Sequence, residues 1–103
     1  MNTKIKNMKL TFEQVKNKLL SLGFTPLPNR EEKGITILGV FGLNYCSCCK
    51  RCDGKITIYY DFDESDLWIT GSDDSGFRND PLTKGTFKET LRDLGIKAKD
   101  CKL

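Results

Sequence analysis

The hydrophobic period of this chain changes twice, and that change constrains the fold more than any other feature. Phe12, Val15, Leu19 and Leu22 recur at steps of three and four residues, the spacing of one helix face, so a helix is expected over residues 12–22. Thr11 and Gln14 form a capping box ahead of it, and Leu10 is placed to staple against Val15. Phe87, Leu91 and Leu94 repeat the stripe, with Thr86 and Glu89 as a second capping box. Gly23 and Gly95 stop the two helices, and the apolar residue after each, Phe24 or Ile96, supplies the contact of a Schellman-type C-cap. Between the helices the period falls to two. Ile56, Ile58, Tyr60 and Phe62 alternate with Lys55, Thr57, Tyr59 and Asp61, which predicts a strand with the first set facing inward.

Residues 67–70 form a second strand of the same hairpin, and residues 34–43 a further one, with a bulge or a close backbone approach expected at Gly39 and Gly42. The stretch "TPLPNREEKG" reads as a loop because Pro26 and Pro28 break it, and "GSDDSGFRNDPLTKG" as a long polar loop. The expected architecture is α+β: a three-stranded antiparallel sheet flanked by an N-terminal and a C-terminal helix. At 103 residues the chain is long enough for one small core, so a single domain spanning 1–103 is expected.

The link between the first two strands carries "CSCCKRC", four of the five cysteines within seven residues, in a chain without histidine. Cys46 and Cys49, and again Cys49 and Cys52, have the two-residue spacing that brings paired sulfurs to one tetrahedral zinc ion. Either Cys48 or Cys101 from the C-terminal tail would complete the set, and Lys50 and Arg51 would offset its negative charge. This predicts a zinc-binding knuckle in that link. C-x2-C-x2-C also opens iron–sulfur sites, but no proline follows Cys101 and only one such run exists, which puts zinc first. The odd cysteine count, together with the lack of an apolar run after the N-terminal lysines, leads to the expectation of a reducing, cytoplasmic location, with no membrane span.

No catalytic set is visible without histidine, and an enzyme is not expected. Charge is more informative. The net charge is +3, yet residues 61–80 hold seven acids against Arg78 alone, so the chain is polarised into an acidic middle and basic flanks. The densest acids, Asp61, Asp63, Glu64 and Asp66, lie between two strands and read as a solvated turn; they are the expected contact for a basic partner. Trp68 and Phe77 are expected to be core or loop-anchoring residues.

In its short length, lysine- and asparagine-rich composition, single "CSCCKRC" run and lack of catalytic residues, the chain resembles the small phage-type anti-CRISPR proteins, among them the zinc-containing inhibitors of type II effectors. The resemblance implies a protein-binding inhibitor that occupies an RNA-guided nuclease and keeps target DNA from loading. The alternative is a zinc-knuckle nucleic-acid-binding module in which Lys50 and Arg51 contact phosphates and Tyr45 or Tyr59 stacks on a base. The modest net charge and the acidic middle weigh against broad duplex binding.

Overall fold

A computed structural model describes residues 8–43, 54–73 and 76–101. The elements run α1 (Phe12–Ser21), β1 (Thr25–Leu27), β2 (Ile35–Leu43), β3 (Gly54–Asp61), β4 (Asp66–Asp73), β5 (Gly76–Pro81) and α2 (Lys84–Asp93), followed by a short 3-10 turn, Ala98–Asp100. The strands form one antiparallel meander in the order β1-β2-β3-β4-β5. The expectation of three strands is therefore corrected to five. The two missed strands are the sheet's edges, and each lacks the apolar alternation that marks a strand. β1 contains Pro26, which an edge tolerates because one side of its backbone needs no partner. β5 places Arg78 and Asp80 where an inward-facing strand would carry apolar residues.

Local signals set the helices as expected at three of their four ends. Thr11 and Gln14 exchange the two bonds of a capping box at the start of α1. Gly23 and Gly95 adopt φ of 93° and 91°. Phe24 N–H then reaches Leu19 O, and Ile96 N–H reaches Leu91 O, which completes both Schellman caps. The second capping box, however, lies one turn earlier than the sequence predicts. Thr83 is the N-cap and Thr86 its reciprocal partner, because the shorter threonine hydroxyl does the work assigned to Glu89.

Both helices pack on the same face of the sheet. Cross-strand register places Gly39, Ile58 and Ile69 in one row and Phe41, Ile56 and Gly71 in the next. Onto these rows pack Val15 and Leu19 of α1 and Phe87 and Leu91 of α2, all fully buried within one core cluster. Glycine marks where the helices touch down. A methyl group on Gly39 would stand 2.9 Å from the Phe12 ring, one on Gly54 would stand 3.2 Å from Leu94, and one on Gly71 would overlap the Thr90 Cγ2 atom. Gly39 also follows a register shift after Ile37, so the expected bulge and close approach coincide there. Leu38, the extra residue, packs against the core.

Two further ties hold the layers together. Lys9 forms a β-bridge with Thr83, and Lys84 N–H donates to Met8 O, so the starts of the two helices are joined. Arg78 donates to Asp80 (2.8 Å), Asp93 (2.8 Å) and Glu89 (3.0 Å), fastening β5 beneath α2. Asp80 first and Asp93 next hold this guanidinium more firmly charged than a free one.

Among the described residues no helix lies over the opposite face. The inward reading of β3 is accordingly half right: Ile56 and Ile58 are fully buried, but Phe62 lies past the strand end and is 58% exposed. Thr57 and Tyr59, expected to face solvent, are buried on that face, each flanked by side chains of both neighbouring strands: Val40 and Thr70 beside Thr57, Ile37 and Trp68 beside Tyr59.

Gly71→Ala is expected to cost about 1–3 kcal/mol by forcing α2 off the sheet. Adding Thr90→Ser removes Cγ2 but keeps the hydroxyl bond to Thr86 O. A urea-unfolding cycle should therefore show the double variant more stable than the sum of the single losses, by at least about 0.5 kcal/mol. Simple additivity would contradict this contact.

Candidate functional site

The acidic turn predicted from the sequence is the tip of the β3–β4 hairpin, and the structure divides its four carboxylates into two pairs. Asp61 and Asp66 face each other across the hairpin end. Asp61 Oδ1 accepts from the backbone N–H groups of Asp63 (2.9 Å) and Glu64 (3.2 Å), which closes the turn. Asp66 accepts from Leu67 N–H (2.8 Å) and pairs with Lys9. The Lys9 hydrogen bond, and after it the Leu67 N–H, hold the Asp66 carboxyl below the ordinary carboxylate range. These two acids serve the fold. Asp63 and Glu64 are exposed and carry no such duty among the described residues.

Between the two pairs the chain is held open in a fixed shape. Ser65 sits at φ 53°, a left-handed conformation that a non-glycine residue adopts only where its surroundings require it. Phe62 N–H donates to Gly34 O (3.1 Å), anchoring the tip to the β1–β2 loop. The Phe62 ring meets Tyr60 edge-on at 5.4 Å yet stays largely in solvent. The tip thus presents one aromatic ring followed by two free carboxylates on a backbone pinned from both sides.

A second feature lies on the uncovered face. Register aligns Val40, Thr57, Thr70 and Asn79 in one row and Ile37, Tyr59, Trp68 and Pro81 in the next. A groove of about 260 Å³ runs over Thr57, Tyr59, Thr70 and Asn79, bounded by Arg30 and Glu32 of the β1–β2 loop and by Phe77. Asn79 Oδ1 accepts from Tyr59 Oη (2.6 Å) and Thr70 Oγ1 (2.8 Å). Trp68 Nε1 is buried without a hydrogen-bond partner. Phe77, expected to be a core or anchoring residue, is 77% exposed, because its alternate neighbours Arg78 and Asp80 take the helix-side positions. Phe77 and Asn79 were hidden by the polar reading of their segment. The available signal was the period-two alternation of Phe77, Asn79 and Pro81 against Arg78 and Asp80.

Cys46, Cys48, Cys49 and Cys52, with Lys50, Arg51 and Tyr45, lie outside the described residues, as does the link expected to form the knuckle. Among the described residues no group of three or more histidine, cysteine or acidic side chains is arranged to hold a metal. Cys101, considered above as a ligand, is 3% exposed within the core cluster, and its thiol donates to the carbonyls of Lys97 (3.3 Å) and Ile96 (3.7 Å). Burial pushes that thiol up, opposed by Lys88, Arg92 and Lys18 nearby. Its surroundings are those of a packing residue. Tyr59, considered as a stacking platform, is buried and tied through its hydroxyl, so it offers no free face.

Comparison with protein-family models, with curated proteins and with solved structures finds no match to this chain. No helix among the described residues is long and apolar enough to cross a membrane.

A carboxylate whose pKa is lowered on folding stabilises the fold above the unfolded value of about 3.9 and loses that contribution as pH falls through the folded value. Asp66 should follow this rule. Asp66→Asn is expected to lower the urea midpoint at pH 6 and to flatten its decline between about pH 4 and pH 2 relative to wild type. An unchanged acid limb would mean that the Lys9–Asp66 pair contributes nothing to folding.

Proposed function

We propose that this protein is a binding inhibitor that presents the tip of its β3–β4 hairpin to a basic surface of a partner protein. The observation that carries the reading is the exposed Phe62 ring followed by Asp63 and Glu64 on a turn already fixed by Asp61, Asp66 and Gly34. A tip held in place before binding loses little conformational entropy on contact. The aromatic ring is the type of side chain that anchors an interface. The two carboxylates supply electrostatic attraction that speeds encounter and weakens with salt. The tip has no acid–base pair of the kind hydrolysis or group transfer needs, which supports a binder over an enzyme.

The resemblance noted above makes an RNA-guided nuclease of type II the first partner to test. Such an enzyme handles nucleic acid through basic surfaces, and an acidic tip seated on one would keep target DNA from loading. The C-x2-C-x2-C spacing of Cys46, Cys49 and Cys52 supports one thiolate-bound zinc ion per chain, and the burial of Cys101 in the core favours Cys48 as its fourth ligand. Elemental analysis of purified protein is expected to find about one zinc per chain; iron with absorbance near 400 nm (roughly, as for a sulfur cluster) would replace that assignment.

Against a purified type II effector, Asp63→Asn with Glu64→Gln is expected to slow association severalfold and to flatten its dependence on salt, with thermal stability unchanged. Phe62→Ala should act instead on dissociation, raising its rate by roughly tenfold or more. Lys50→Ala and Arg51→Ala should matter less than either. An essential basic pair beside a neutral acidic tip would place the binding face elsewhere, and no binding by wild type would remove this partner.

A further inference from the structure

We infer that the groove on the uncovered sheet face is a binding site for an unpaired nucleobase of single-stranded nucleic acid. Asn79 lines this groove. Two hydroxyls, from Tyr59 and Thr70, donate to the same side-chain oxygen, which fixes the orientation of the amide. Its Nδ2 group, with two N–H donors, is therefore turned away from them and has no partner among the described residues. Tyr59 and Val40 are buried but lie outside the core cluster. The Tyr59–Asn79–Thr70 network thus sits apart from the packing between helices and sheet, and its product is a positioned donor on an open face.

Phe77 lies two residues before Asn79 on the same strand and the same face. It is the most exposed of the large apolar side chains among the described residues, at 77%. Two residues along a strand advance by about 6.7 Å, so the Phe77 ring and the Asn79 amide are neighbours on one face. A base stacked on Phe77 would direct a ring carbonyl at Asn79 Nδ2. A flat π face joined to an acceptor edge is the chemistry of a nucleobase, and an exposed aromatic beside a positioned side-chain donor is how single strands are read on open sheets.

Lys55 aligns with Ser72 and Phe77 in the next cross-strand row of the same face, which puts a cation beside Phe77 for the rest of a nucleotide. Arg30, whose Nε pairs with Glu32, lines the groove together with Glu32 and Asp61. The groove, about 260 Å³, is large enough for one base. A base held within a duplex would have to leave its stack to enter, so the site selects single strands.

The test uses the full-length protein and an octamer of uridylate, followed by the fluorescence of Trp68, the only tryptophan, which stands opposite Tyr59 on this face. Saturable quenching is expected with the single strand and none with a duplex of equal length. Phe77→Ala should weaken binding roughly tenfold, and Phe77→Trp, monitored by NMR shifts of the Asn79 amide, should retain it. Asn79→Asp keeps the acceptor for both hydroxyls but replaces the donors with charge, and it too should lose binding. Phe77 is too exposed for its loss to unfold the chain, so an effect there reports the site. Failure of wild type to bind, equal binding of the duplex, or full affinity in Phe77→Ala would each overturn the assignment.

Discussion

The structure depends on how closely two helices approach one face of a sheet. Gly39, Gly54 and Gly71 leave the backbone bare where Phe12, Leu94 and Thr90 come down. Glycine within a strand costs roughly 0.5–1 kcal/mol against alanine. That cost is outweighed where the approach lets Ile56, Ile58 and Ile69 be buried completely, since full burial of one such side chain contributes about 1.5–3 kcal/mol. Because both helices settle on the same side, the other side is left to Val40, Ile37, Pro81, short polar side chains, three aromatic residues and a loop. The exposed surface is a consequence of the packing.

The local parts of this arrangement were legible in the sequence. Caps, staple and glycine stops act within a few residues, and Thr11, Gln14, Gly23 and Gly95 do what their positions imply. The central strands were legible too, because Ile56 and Ile58 carry the alternation of a one-sided sheet. The edges were not. Pro26 argues against a strand until a partner such as Phe41 is known to lie beside it on one side only. The inward positions of β5 hold Arg78 and Asp80, whose burial depends on Asp93 and Glu89 of a helix further along the chain.

The candidate sites show the same division. The acidic tip was visible as a cluster, but the separation of Asp61 and Asp66 from Asp63 and Glu64 was not, since it rests on a lysine 57 residues away and on the backbone of the turn. The oriented amide of Asn79 required Tyr59, 20 residues earlier, to be brought across two strands. Asp61 joins the two surfaces: it closes the tip and also lines the groove. The β3–β4 hairpin is therefore common to both proposed contacts, and its rigidity matters to each.

Both helices cover one face of the sheet, and among the described residues neither covers the other. Proton NMR on the labelled protein tests this arrangement directly, through nuclear Overhauser contacts and a soluble paramagnetic agent. Contacts are expected from the Thr90 methyl to Gly71 Hα and from the Phe12 ring to Gly39 Hα, while the agent broadens the Phe77 ring and the Asn79 side-chain amide but spares Ile56 and Ile58. Helix contacts to Phe77 or Asn79, or protection of both from the agent, would contradict the account.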